Sequence, residues 1–127
     1  MKIALREPPR AYQVGQKGEI TIRDCASITL GADEQVTFLT EKGGQYDIVR
    51  KDFGFYATPS INHRLRGFGF QSALVRSVQS RRAFVLLVEK GGESAFSAYC
   101  ADEGLELLCW LDDDAVLDRI AALGLGA

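Results

Sequence analysis

The feature that most constrains the fold is a two-residue alternation of apolar side chains that begins just after Gly18. The apolar positions of one parity are Ile20, Ile22, Ala26, Ile28 and Leu30, and Asp24 alone interrupts them. Because successive side chains of a strand point to opposite faces, this pattern predicts a strand with one apolar face. The charged interruption predicts a bend near Asp24 and Cys25.

Short runs of strand-forming residues continue to about residue 88, separated by turn signals. The runs 36–39 and 46–49 flank Gly43-Gly44, a good hairpin signal because glycine accepts positive φ at little cost. Further runs cover 53–56, 70–78 and 83–88. The whole predicts an antiparallel meander of about six to eight strands. Residues 1–16 are predicted as an N-terminal arm, weakly ordered or packed along an edge, and 17–127 as a single domain.

The last third changes to helical spacing. Apolar residues of 93–103 recur at helical intervals before Gly104, and 105–111 alternates again. A final helix is expected after Asp112, which is interpreted as its N-cap. Strand 83–89, helix 93–103 and strand 105–111 are compatible with a βαβ unit. The predicted class is therefore α+β, mostly antiparallel sheet with two C-terminal helices.

The composition is that of an ordinary globular domain. The chain has 127 residues, 46% of them apolar, and no run approaches the ~18 apolar residues of a membrane span. The first nine residues lack a secretory apolar region, so we expect a cytoplasmic location and no membrane partner. Three cysteines and one histidine, without metal-ligand spacing, favour reduced thiols and predict neither metal nor cofactor.

Charge is distributed unevenly along the chain. Residues 42–82 carry eight Lys and Arg against two Asp, whereas 83–127 carry two basic residues against nine carboxylates. The middle would therefore attract anions and the C-terminal third would repel them. The alternative is that the two segments face each other and neutralise.

The basic middle also contains the most site-like loop. Its candidate ligand-binding residues are Tyr56, Thr58, Ser60, Asn62, His63, Arg64 and Arg66. Hydroxyl, amide and guanidinium groups suit a phosphate or an array of sugar hydroxyls. We therefore predict a binding or accessory protein that holds an anionic small molecule, a sugar phosphate or a nucleotide. The structural alternative is a turn in which Ser60 and Asn62 bond their own backbone.

The segment Gly54-Phe55-Tyr56-Ala57-Thr58-Pro59-Ser60-Ile61-Asn62-His63-Arg64-Leu65 resembles small uncharacterised bacterial proteins. Their shared segment reads Gly-Phe-Tyr-Ala-Thr-Pro-Ser-x-Asn-x-Arg-Leu. The resemblance implies a bacterial protein and brings no established activity, so it assigns no residue roles.

Two other functions compete with anion binding. Arg66-Gly67-Phe68-Gly69-Phe70 resembles the core of the RNA-recognition-motif signature, and Lys51-Asp52-Phe53-Gly54-Phe55 resembles the cold-shock-domain signature. Both imply RNA or single-stranded nucleic-acid binding through stacked rings, whereas the structural alternative places these rings in the core. The third candidate is a homo-oligomeric assembly subunit, in which the acidic C-terminal third pairs with a basic surface on another copy or partner and residues 1–16 donate an edge strand.

No reaction is predicted from the sequence. His63 could act as a base, with Cys25, Ser60 or Tyr56 as its partner, but catalysis needs a third, orienting group that the sequence does not indicate. The aspartates 112–114 with Asp118 are interpreted as helix-capping carboxylates, not as metal ligands. We therefore name no catalytic residue.

Overall fold

The computed structural model describes residues 1–57 and 59–126. The chain forms two compact units. Unit 1 comprises Met1–Val36 and Ile48–Ala57, and unit 2 comprises Thr37–Asp47 and Thr58–Ala127.

The described chain contains eight strands and three helices, which confirms the α+β class. The strands are β1 (Lys2–Val14), β2 (Ile20–Thr29), β3 (Gln35–Leu39), β4 (Gln45–Lys51), β5 (Gly54–Tyr56), β6 (Phe70–Ser77), β7 (Ala83–Glu89) and β8 (Leu105–Trp110). The helices are α1 (Arg64–Gly67), α2 (Glu93–Glu103) and α3 (Asp114–Ala122). Over the described residues, no helix combines the length and apolarity needed to cross a bilayer.

The strands β1 and β2 pair antiparallel as a long two-stranded ribbon in unit 1. The segment predicted as an arm is thus mostly β1. The register shifts between Leu5 and Arg10, opposite Cys25, where the alternation predicted a bend. The extra residues belong to β1 because Pro8 and Pro9 lack the N–H that a ladder requires.

A second sheet follows in the order β3-β4-β5. The turn between β3 and β4 contains Gly43 with φ +94°. Glycine adopts this positive φ readily, which is the reason that Gly43-Gly44 was interpreted as a hairpin signal. Strand β5 pairs antiparallel with β4, and Tyr56 lies opposite Val49.

Unit 2 is built on a three-stranded sheet in the order β7-β6-β8. Both outer strands are antiparallel to β6, so β7 and β8 run parallel to each other. Helix α2 connects them, which makes a βαβ unit split by β6. The core consists of Ala73, Val75 and Val88, with Phe96 of α2 and Trp110 of β8 packed against it.

The ends of the two long helices follow capping rules. Gly104 ends α2 with φ 64°, as predicted. The N-cap of α3 is Asp113, whose side chain accepts a hydrogen bond from the Ala115 N–H at 2.9 Å, so the assignment of Asp112 as the cap is wrong. Asp112 is instead buried and accepts a hydrogen bond from the Ser72 N–H at 3.3 Å.

Candidate functional site

The predicted polar loop winds into the short helix α1 in unit 2. Leu65 is fully buried and anchors this turn. The Ser60 hydroxyl accepts a hydrogen bond from the Arg64 N–H at 3.0 Å, and the Ser60 carbonyl accepts one from the Leu65 N–H at 3.0 Å. Ser60 therefore stabilises its own turn, which is the structural role considered as the alternative for it.

The other uncharged members of the predicted set have different surroundings. The Asn62 amide donates to the Asp114 carboxylate at 2.8 Å, which links the loop to the first turn of α3. His63 is exposed beside it. Tyr56 is exposed on β5 in unit 1, and Thr58 lies outside the described residues.

The two arginines of the loop have different surroundings. The Arg64 guanidinium lies over the Phe68 ring, 5.4 Å from its centroid. Arg66 Nε lies 3.7 Å from the Asp112 carboxylate, and 55% of the Arg66 side chain is exposed. The acidic C-terminal third therefore contacts the basic middle at this point, while most of the Arg66 side chain still faces solvent.

A concavity of about 320 Å³ lies beside this loop, within unit 2. We call it the glycine cradle; its lining residues are Lys42, Gly43, Gly44, Gln45, Gly67, Phe68, Gly69, Glu89 and Lys90. A second concavity of about 190 Å³ shares Gly69 and Lys90 with it and is also lined by Arg66. Among the described members of the predicted set, Arg66 alone lines either of these two concavities.

Two glycines allow the backbone segments of the cradle to approach each other closely. A Cβ on Gly44 would lie 2.5 Å from Glu89 Oε2 and 2.8 Å from a carbon of the Phe70 ring. Gly69 adopts φ +97°, a conformation that favours glycine. The Gln45 N–H donates to the Phe68 carbonyl at 3.2 Å, which joins the β3–β4 turn to the segment after α1.

The charged groups of the cradle are two lysines and one carboxylate. Glu89 Oε2 accepts hydrogen bonds from the Thr40 hydroxyl at 2.6 Å and the Gly44 N–H at 3.1 Å. Among residues 1–57 and 59–126, neither the Lys42 nor the Lys90 ammonium forms an ion pair. Both cations are therefore available to an anion.

The backbone N–H groups of the cradle are largely occupied. Gly43 N–H donates to the Thr40 carbonyl, Gly69 N–H to the Arg66 carbonyl and Lys90 N–H to the Gly69 carbonyl, at 2.8 to 3.1 Å. An anion in the cradle would therefore be held by ammonium groups and not by a nest of amides.

Sequence reasoning missed the cradle because its members come from three separated segments. Gly43-Gly44 was interpreted only as a turn, and neither Lys42 nor Lys90 belongs to a motif. The available signal was a lysine next to each of two glycine pairs, 42–44 and 90–92. Only the topology shows that both lysines line one concavity.

The aromatic residues of the two Phe-Gly-Phe triplets differ in exposure. Phe70 is buried in β6, so its ring is not free to stack on a base, and Phe68 is half-buried beneath Arg64. Phe53 and Phe55 are exposed, with the Arg50 guanidinium 5.8 Å from the Phe55 ring centroid.

Comparison of the chain with known protein families, curated proteins and solved structures found no match.

Proposed function

We propose that this protein is a binding or accessory protein that holds an anionic small molecule in the glycine cradle. One observation carries the proposal: Lys42 and Lys90 line a concavity of about 320 Å³ without an ion-pair partner in the described chain. Arg66 lines the adjoining concavity and extends the cationic surface.

The chemistry of the cradle favours a compact phosphate over a long polyanion. Lysine ammonium groups bind phosphate as point charges, and the concavity has the volume of a small-ligand site. Because Lys42 and Lys90 are exposed, salt weakens their attraction for an anion, with a screening length of about 10 Å at 0.1 M ionic strength. We therefore expect modest, salt-sensitive affinity.

Calorimetric titration with inorganic phosphate and ribose 5-phosphate tests the proposal. Lys42→Gln and Lys90→Gln should each weaken binding by about tenfold, since each removes one charge-assisted contact worth about 1.5 kcal/mol. Lys17→Gln is the matched control, because Lys17 is exposed in unit 1 and lines neither of the two concavities. No binding of either compound, or equal losses in all three variants, would reject the proposal.

The same titration separates the cradle from the predicted loop site. Arg66→Gln should weaken binding by a few-fold because Arg66 lines the adjoining concavity and is partly neutralised by Asp112. Arg64→Gln should leave affinity unchanged, since its guanidinium lies over Phe68. A larger loss for Arg64→Gln than for Lys90→Gln would favour the loop around Asn62 and His63.

A second candidate function is homo-oligomeric assembly through the ribbon, and the exposed apolar face of the ribbon supports it. Large apolar side chains on this face that are exposed to solvent are Ile3, Leu5, Tyr12, Ile22 and Ile28. A two-stranded pair alone is marginally stable in water, and a third strand or a helix is normally needed. A further strand from a second copy meets that need.

The outer edge of β2 is the better edge for such pairing. It offers ten residues without proline, whereas Pro8 and Pro9 interrupt β1. An antiparallel register centred on Cys25 places Ile22 opposite Ile28 of a second copy. A register centred on Asp24 would instead place two carboxylates opposite each other, which is destabilising.

Light scattering over a range of protein concentrations tests assembly. Ile22→Lys and Ile28→Lys should lower the oligomeric fraction, because each would place a charge in the shared apolar face. Gln13→Lys, on the opposite face of the ribbon, is the control. A wild-type protein that stays monomeric at every concentration removes this candidate.

A further inference from the structure

Among the described residues, Glu89 is the one carboxylate that lines the glycine cradle, together with Lys42 and Lys90. Its Oε2 atom accepts hydrogen bonds from the Thr40 hydroxyl and the Gly44 N–H. Its Oε1 atom accepts no hydrogen bond from any residue of the described chain. The carboxylate is thus fixed at one oxygen and available at the other.

A fixed carboxylate changes which anions the cradle can favour. Its negative charge repels the phosphate group of a ligand. The carboxylate accepts hydrogen bonds from hydroxyl groups, and such bonds to a charged acceptor are stronger than neutral ones. Lysines for the phosphate and a carboxylate for hydroxyls therefore act on different parts of one ligand.

We propose that Glu89 is a specificity-determining residue and that the ligand is a phosphate monoester with adjacent hydroxyl groups on its carbon skeleton. This inference rests on the proposed function, because Lys42 and Lys90 must supply the phosphate contact. Sugar phosphates and ribonucleotides share this chemistry. The adjoining concavity offers Phe70 only as a buried ring, so a nucleotide base gains no stacking partner there.

The test compares ribose 5-phosphate, 2-deoxyribose 5-phosphate, adenosine 5′-monophosphate and inorganic phosphate by calorimetry. The wild type should bind ribose 5-phosphate about tenfold more tightly than the deoxy compound, the worth of one hydroxyl bonded to a carboxylate. Adenosine 5′-monophosphate should bind no more tightly than ribose 5-phosphate. A tighter adenosine 5′-monophosphate complex would identify a ribonucleotide as the source of this chemistry, and a weaker one a sugar phosphate.

Glu89→Gln should reduce the preference for ribose 5-phosphate over 2-deoxyribose 5-phosphate to about threefold or less, because the negative charge is lost. For the same reason it should raise the affinity for inorganic phosphate. Thr40→Val, which removes one hydrogen bond to Oε2, should reduce the preference less. Glu41→Gln is the control, since Glu41 is exposed on the same turn and does not line the cradle. Circular dichroism verifies the fold of each variant.

The failure of this inference differs from the failure of the proposed function. Equal affinity for ribose and deoxyribose 5-phosphate, or a preference that survives Glu89→Gln, overturns the role of Glu89 and leaves phosphate binding intact. No binding of any of the four compounds overturns both.

Discussion

The strands in the two units of this protein reach different degrees of burial. In unit 1, β2 alternates apolar and polar residues, yet no residue of β1 or β2 is buried. In unit 2, β6 contains the fully buried Ala73 and Val75. Strand alternation therefore produces an apolar face, but a covering layer is needed to bury it.

The covering layer in unit 2 is a consequence of topology. Because β7 and β8 run parallel to each other on either side of β6, their connection crosses the sheet as α2, whose Phe96 packs against the core. In unit 1 the connection between β1 and β2 is the short segment 15–19, which contains no helix. The ribbon instead has the ion pairs of Asp24 with Arg6 and Arg10, at 3.1 and 3.2 Å, and partly exposed pairs of this kind contribute little stability.

The largest expected effect is the difference in lost stability between a substitution in unit 2 and one in unit 1. Leu65→Ala should lower the free energy of unfolding by about 2–5 kcal/mol, because it leaves a cavity at a fully buried site. Leu5→Ala should cost about 0.5 kcal/mol or less, since Leu5 is 67% exposed. Urea denaturation at low protein concentration measures both values.

If the loss of stability in Leu5→Ala increases with protein concentration, this difference between the units does not hold. Such an increase would show that the apolar face of the ribbon is covered in an oligomer, as the assembly candidate requires.

The next effect tests how tightly unit 2 is packed at the cradle. Gly44→Ala should destabilise by about 1–3 kcal/mol, because the new Cβ would lie within 2.9 Å of Glu89 and the buried Phe70 ring. Gly67→Ala is the matched control, since a Cβ there meets no atom within 4 Å. Thermal unfolding of the two variants gives the comparison, and equal midpoints would contradict the close approach.

A buried carboxylate gives a further contrast within unit 2. Asp112→Asn should cost about 1–3 kcal/mol, because the charged acceptor for the Ser72 N–H and the ion-pair partner of Arg66 is lost. Asp118→Asn, on the exposed side of α3, should change stability by less than about 0.5 kcal/mol. Similar losses of stability in the two variants, measured by urea denaturation, would show that the burial of Asp112 adds nothing to the stability of the protein.

Sequence reasoning predicted those parts of the fold that local chemistry determines. The alternation in β2, the hairpin at Gly43-Gly44, helix 93–103 and its end at Gly104 all depend on neighbouring residues. Asp112 was assigned as the cap because any aspartate before α3 satisfies the local rule. Its burial depends on β6, forty residues away, and no local pattern indicates it.

The candidate site was less predictable than the fold for the same reason. The loop from Ser60 to Arg66 had the right chemical groups, but Ser60 and Asn62 are used in hydrogen bonds to Arg64 N–H and Asp114. The cradle needs Gly44, Gly69 and Lys90 to meet, and such long-range pairing follows from strand order alone.

The smallest effect concerns thiol chemistry in the two units. Cys25 is exposed on the ribbon, whereas burial raises the pKa of the Cys100 thiol in α2. Because the thiolate is the reactive form, Cys100 should be alkylated more slowly than Cys25 at pH 8, and its rate should rise at higher pH. Peptide mass spectrometry after iodoacetamide treatment gives both rates. Protection of Cys25 that increases with protein concentration would indicate a ribbon edge paired at Cys25, whereas equal rates would show that α2 does not shield its thiol.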